Sequence, residues 1–409
     1  MKVAFMFPGV GSHYAGMGEY FNDNFKIARE TFQEASDTLG TDMVSLCMDK
    51  SRKLSLDALE NAQTALVTVS MAAFRVFEQE IGIKPDAMLG YSLGEYSALC
   101  ASGVMGFADV LKLVHSRGLI VSEYAASIDG TMAWVNNLEP ETVEQICAEV
   151  KKAGEEVVVS AYDTPQKTSI SGSNAGIRLA GEKVVERGGI PIPLRMSGPF
   201  HSPLMKPAAD RYRELLIDSK IHSPNVPVIA NRSALLYRDV EGVLDNLWLQ
   251  LVEPVRWLDS LRYLLQEGMT IAVEMGPKDV LKYLLKAVDP NLLMVNYEKE
   301  KDVRRTEQAL VVQETEYNQV ITNCLAVVAG TRNYSTDLAD YERRVVLPFR
   351  QVQHRYEELA ASESSPKLSD VQRALQMMQG ALTAKRIRGE ERERHLQRVL
   401  NNKVLQMHG

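Results

Sequence analysis

The stretch MLGYSLGEYSALCASG, Met88–Gly103, decides how this chain is read. An apolar run, Ala87–Leu89, leads into Gly90-Tyr91-Ser92-Leu93-Gly94, and a helical pattern follows that stops near Gly103. A G-x-S-x-G between a strand and a helix describes a sharp turn in which the glycines let the backbone fold tightly and push a serine hydroxyl outward. The amide after the serine then faces a carbonyl under attack. Ser92 is therefore a candidate nucleophile, and the strand–turn–helix order around it points to an α/β layer.

The same grammar extends outward. From Met1 to about Tyr124, short apolar runs such as Val3–Phe7 alternate with helical patterns such as Ala65–Gln79, as in a largely parallel sheet. Next comes a compact series: strand Thr131–Val135, helix Pro140–Ala153, strand Glu156–Ala161, strand Lys167–Ser171, helix Ala175–Arg187 and strand Ile190–Met196. That βαββαβ order is a ferredoxin-like unit inserted in the chain. The larger pattern resumes with VPVIAN (Val226–Asn231) as a strand, VRWLDSLRYLLQEG as a helix ending at Gly268, and TIAVEMGPKDVLKYLLKAV as a further strand, turn and helix.

The expected architecture is thus α/β. It has a larger α/β-hydrolase-like domain (1–125 and 199–297), a ferredoxin-like small subdomain (126–198) and a mostly helical C-terminal extension (298–409). The last stretch of that extension carries Lys385, Arg386, Arg388, Arg392, Arg394, Arg398 and Lys403 and is locally basic. Such a run reads as a solvated helix face or a docking segment.

Composition bounds the function. With 409 residues, 45% hydrophobic and 24% charged, the chain has the makeup of a globular protein with one large or two medium domains. No apolar run is long enough to be a signal sequence or to cross a bilayer, so a cytoplasmic location away from membranes is the expectation. The net charge of −7 speaks against general nucleic-acid binding, which needs a basic surface. Cys47, Cys100, Cys147 and Cys324 are isolated and read as small buried hydrophobes, so no metal site is expected from them.

The opening loop, MFPGVGSHYAGMG (Met6–Gly18), packs glycines behind the first strand, where nucleotide sites often begin. Tyr14 breaks G-x-G-x-x-G at its last position and no G-K-[ST] follows, so a tight strand-to-helix turn is the simpler reading.

A serine hydroxyl needs a base within hydrogen-bond reach. Of the seven histidines, His354, His395 and His408 lie in the charged C-terminal part, His222 and His13 in loops, and His115 inside a helix. His201, in SGPFHSPLM, sits where the inserted unit returns to the larger domain, a hinge of the kind where clefts form. It is the candidate base, against the plainer reading of a loop histidine capping a helix.

Arg117 lies on the apolar face of its helix, between Leu113 and Val114 on one side and Ile120 and Val121 on the other. A buried guanidinium needs an anion. Either a protein carboxylate pairs with it or a ligand carboxylate does, by a two-pronged contact.

FPGVGSHYAGMG, GYSLGEYSAL, VHSRG, GPFHSPLMKPAADR, QLVEPVRW and EMGPKDVL occur in the order and spacing of the malonyl-CoA:acyl carrier protein transacylases, which this chain resembles from Met1 to about Tyr297. It is also similar to the acyltransferase domains of polyketide synthases. The resemblance implies a ping-pong reaction in which Ser92, with His201 as base, takes a malonyl-type extender from coenzyme A. Ser92 would then pass it to the phosphopantetheine thiol of an acyl carrier protein. Arg117 would hold the free carboxylate; Gln250 and Gln63 fit the family's pocket positions. The opening loop would supply one oxyanion-hole amide from Val10, opposite that of Leu93. No bound cofactor is implied beyond the coenzyme A thioester substrate, and a monomer is expected.

Phe200, next to His201, resembles the malonyl-selecting polyketide acyltransferases, in which bulk beside the acyl α-carbon excludes branched extenders. A chain with no ketosynthase or carrier segment, plus the extra C-terminal residues, points to action in trans on a separate synthase. The fatty-acid transacylase is the alternative. A hydrolase clearing stalled carriers is a further rival that Arg117 argues against, as the intact set of residues argues against an idle scaffold. The family's F-P-G-Q-G-S-Q carries Val10 and His13 in place of its glutamines, and Ala161-Tyr162-Asp163-Thr164-Pro165 departs from its pocket-edge pattern. Both changes leave room for a hydroxy-, methoxy- or amino-malonyl unit.

Overall fold

The computed structural model describes residues 2–194, 198–362, 364, 366 and 368–400. They form two compact units, one spanning Val3–Arg304 and the other running from Arg305 onward. Met196 at the end of the expected strand, Lys403 of the basic stretch and His408 lie outside the described residues.

The first unit is organised by a parallel sheet in the order β7-β2-β1-β8-β9. Its strands are β1 (Val3–Phe7), β2 (Ala87–Gly90), β7 (Val228–Ile229), β8 (Ile271–Met275) and β9 (Leu293–Tyr297). The central strand β1 is buried at every position, which is why its sequence is a continuous apolar run rather than an alternation. Phe5 and Phe7 point to one face, where Phe5 meets Phe77 edge-on at 4.8 Å on helix Leu59–Glu80. Ala4 and Met6 point to the other, into a cluster with Leu89, Ile229, Trp257, Leu261 and Leu285.

In the larger domain, β7 and the helix before β2 depart from the sequence expectation; in the small sheet, the strand expected to end at Ala161 runs on to Thr164. Strand β7 covers two residues, not the six of VPVIAN, because Pro227 has no N–H to donate and β7 is an edge strand. Helix Leu59–Glu80 starts six residues before Ala65, directly after extended Ala58, and this brings Gln63 into its buried second turn.

The inserted unit is a four-stranded sheet of order β4-β5-β3-β6, antiparallel throughout. Its strands are β3 (Thr131–Asn136), β4 (Val157–Thr164), β5 (Lys167–Gly172) and β6 (Ile190–Pro193). Helices Pro140–Lys152 and Asn174–Glu186 cover one face through Val135, Ile146, Ile170 and Val184. That strand order is the ferredoxin-like arrangement. The other face, carrying Met132, Trp134 and Ser169, is left to wall a cleft. Val255, in the loop before helix Trp257–Gln266, pairs with β4, accepting from Tyr162 N at 2.9 Å and donating to the Ser160 carbonyl at 3.0 Å.

The second unit is helical. Helices Leu347–Ala361, Leu368–Ala384 and Gly389–Leu400, with the larger part of Glu300–Gly330, enclose a core that includes Tyr317, Ile321, Cys324, Val352, Met378 and Leu382. Lys385, 3% exposed, donates to the carbonyls of Val328 and Thr331 and so closes the end of the long helix. Among the described residues no helix is long and apolar enough to cross a membrane.

Candidate active site

Ser92 stands at the carboxyl end of β2, at φ +52, a left-handed conformation that a serine adopts only where its surroundings enforce it. Close packing enforces it here. A Cβ on Gly94 would lie 2.0 Å from the Phe7 carbonyl oxygen, and one on Gly90 would lie 1.9 Å from the Gly94 carbonyl carbon. Only glycine permits β1, β2 and helix Gly94–Ala101 to meet this closely.

His201, also left-handed at φ +56, brings Nε2 to 2.8 Å from Ser92 Oγ. Its Nδ1 lies 2.7 Å from the main-chain carbonyl oxygen of Gln250. A carbonyl can only accept, so Nδ1 carries the proton and Nε2 offers its lone pair to the serine hydroxyl. Burial pushes the imidazole down to about 4, with the Arg117 charge acting in the same direction and the Gln250 bond opposing both. The ring is therefore neutral near pH 7.

Arg117 is 5% exposed, and among the described residues it pairs with no carboxylate. Its Nη1 donates to Gln63 Oε1 at 2.8 Å and its Nη2 to Gln250 Oε1 at 3.2 Å. The guanidinium carbon lies 5.6 Å from the centre of the Tyr96 ring. Of the two sequence alternatives, a protein ion pair is absent. Among the described residues, Arg117 Nε and Gln63 Nε2 are buried donors without a hydrogen-bond acceptor.

Ser92, His201, Arg117, Gln63, Val10 and Phe200 all line one cleft of about 210 Å³. Its other walls mix apolar residues, among them Met132, Trp134, Leu194, Val280, Leu281 and Leu284, with the polar Ser12, Asp163, Lys167 and Ser169. Val10 and Leu93 lie outside helices and strands, and neither main-chain N–H donates to an acceptor among the described residues. Leu93, inside the elbow, is fully buried and is not among the residues that line the cleft. The Val10 loop is held from outside by Lys278 Nζ, which donates to the Gly11 carbonyl at 2.9 Å. His13 Nε2 faces Asp57 at 3.4 Å, and His13 is not among the residues that line the cleft.

Sequence reasoning missed the polar network behind the serine. Asn231 Oδ1 accepts from Ser92 N at 2.6 Å, and Asn231 Nδ2 donates to the Gly90 carbonyl. Glu95, fully buried, accepts from Asn231 N at 2.8 Å, from Tyr237 Oη at 2.7 Å and from Gln250 Nε2. Burial pushes the Glu95 carboxyl up to about 7, against the pull of those three donors and of Arg117. Tyr91 Oη donates to Asp163 Oδ1 at 2.5 Å at the edge of the small sheet. A signal for Asn231 existed: it is the polar residue that ends VPVIAN, at the carboxyl edge of a parallel strand, where sites collect. Among the described residues no cluster of histidine, cysteine and carboxylate side chains suits a metal.

Residues 4–292 match the model of the acyl transferase domain family. A malonyl CoA-acyl carrier protein transacylase of Bacillus subtilis is 31% identical over 393 residues, covering 94% of this chain and 97% of the relative. A second, from Bacillus subtilis strain 168, is 39% identical over 292 residues, covering 71% of this chain and 92% of that protein. Among solved structures, a type II PKS acyl-carrier protein in complex with its malonyl-transacylase matches at TM-score 0.72. That match is 31% identical and covers 76% of this chain and 100% of the solved one.

Proposed function

The chain belongs to the acyl transferase domain family, as an acyltransferase of the malonyl-CoA:acyl carrier protein transacylase type, and on that premise we propose that it carries a malonyl-type unit as an ester on Ser92. Ser92 Oγ attacks the thioester carbonyl of malonyl-CoA while His201 Nε2 takes its proton. The oxyanion that forms is met by the Val10 and Leu93 amides. Collapse breaks the C–S bond, and coenzyme A leaves as the thiol with the proton from His201. The phosphopantetheine thiol of an acyl carrier protein then gives its proton to His201 and attacks the ester. Ser92 leaves and is reprotonated.

The observation that carries this reading is the 2.8 Å Ser92–His201 contact in the same small cleft as Arg117 and Gln63, each with one buried donor unmatched among the described residues. A malonyl carboxylate supplies the anion those donors lack, and Phe200 limits the space beside its α-carbon. The carrier is that of a polyketide or hybrid synthase, served in trans. Support comes from Phe200 and from the solved relative whose carrier belongs to a type II PKS. A carrier of fatty-acid synthesis fits the relatives' names equally, and Val10 beside the acyl group favours testing substituted malonyl units too.

Intact-mass measurement after incubation with malonyl-CoA should show one malonyl adduct, absent in Ser92→Ala. Equal labelling of that variant would sink the assignment. Comparing transfer rates to carrier proteins of polyketide and fatty-acid origin decides the pathway.

A further inference from the structure

We propose that Glu95 is a positioning residue for substrate choice: from behind the cleft it fixes which way the Gln250 side-chain amide is turned toward Arg117. The inference rests on the reading of Arg117 as the partner of the free malonyl carboxylate.

A glutamine amide can occupy its site in two orientations, and its neighbours choose between them. Gln250 Nε2 faces the Ser92 carbonyl at 3.0 Å, a group that can only accept, and Glu95 Oε2, which accepts whenever the carboxyl is ionised. With Nε2 held there, Oε1 must face Arg117 Nη2. The reversed amide would set an NH₂ against the guanidinium and an oxygen against the carboxylate. Glu95 in turn cannot swing away, because its other oxygen is held by Asn231 N and Tyr237 Oη. The carboxylate thus acts on Arg117 through one intervening amide while touching neither the cleft nor the substrate. A fully buried carboxylate is expensive, and three donors arranged around it show a group that is held in place.

Glu95→Gln is nearly isosteric and breaks this logic. Its oxygen is still required by Asn231 N, so its NH₂ meets the NH₂ of Gln250, and Gln250 must turn or withdraw. Arg117 then loses its Oε1 acceptor. The test is the rate of acyl-Ser92 formation with malonyl-CoA and acetyl-CoA in the full chain. Wild type, Glu95→Gln, Arg117→Ala and the double variant are compared.

The malonyl-to-acetyl ratio should fall about tenfold in Glu95→Gln. It should fall no further when Glu95→Gln is added to Arg117→Ala. Equal loss for both acyl groups in Glu95→Gln, or an additional fall in the double variant, overturns the proposal. Gln250→Met removes the same acceptor while Asn231 N and Tyr237 Oη still hold Glu95, and should lower the ratio comparably; an unchanged ratio there overturns the relay even if Glu95→Gln does not fold. If Arg117→Ala leaves the ratio intact, the reading of Arg117 fails. A fall in Arg117→Ala with none in Glu95→Gln removes the inference alone.

Discussion

His201 Nδ1 meets the main-chain carbonyl of Gln250 at 2.7 Å, where many serine enzymes place a carboxylate. The orienting group is backbone, so substituting the Gln250 side chain leaves it in place. His201→Ala should lower acyl-Ser92 formation about 10²–10⁴-fold for malonyl and acetyl donors alike. Gln250→Met should act mainly on the malonyl donor. Pre-steady-state loading followed by mass spectrometry separates the two, and matching losses for both donors in Gln250→Met would contradict the backbone role.

Arg117 lines the cleft, and among the described residues no carboxylate forms an ion pair with it. Arg117→Ala should reduce kcat/KM for malonyl-CoA about a hundredfold, as expected when one partner of a buried charge pair is removed. Acetyl-CoA should be used as well as before. Competition between the two donors gives the selectivity directly, and an unchanged preference would exclude a carboxylate contact at Arg117.

Gly9 packs so closely under the elbow that a Cβ there would lie 2.4 Å from the Tyr91 carbonyl oxygen. Gly9→Ala should push the loop carrying Val10 away from Leu93 while the sheet remains intact. Loading should drop about 10²–10³-fold, the cost of one oxyanion donor. Circular dichroism and thermal melting should stay near wild type. Full activity in this variant would mean that the Val10 amide is not used.

Burial holds the His201 imidazole down at about 4. A base that stays neutral far below the ordinary histidine value should give a kcat/KM profile for acetyl-CoA whose acid limb falls near pH 4 rather than near 6.5. The same shift has a stability consequence. Between about pH 6.5 and 4 the unfolded chain binds a proton at this histidine that the native state refuses. Its contribution to native stability is thus complete above 6.5 and is lost as the pH falls through that window. His201→Phe should flatten this part of the stability curve in chemical denaturation.

Much of the first unit was legible in the chain. The apolar run Val3–Phe7 and the G-x-S-x-G are local patterns, and each is dictated by what its own segment must do: bury a strand on both faces, or turn within five residues. The βαββαβ order was also legible, since alternating strand and helix periods need no knowledge of distant partners. Arg117 stood out because a cation on an apolar helix face is costly wherever that face packs. The early start of helix Leu59–Glu80 and the two-residue β7 were not legible, because edge position and chain entry are settled by neighbours.

Ser92, His201 and Arg117 could be singled out as candidates by sequence alone, since a nucleophile, a base and an anion partner each demand a particular side chain in a particular local setting. Only the tertiary structure decided what orients them. Ser92 N is held by Asn231 from 139 residues away, Gln250 reaches the Ser92 carbonyl across 158, and Glu95 binds Tyr237 across 142. No local period links positions so far apart. A hydrogen bond is chosen by where the folded sheet brings a donor and an acceptor, and the cost of leaving either one buried and unmatched is felt only once the fold has closed over them.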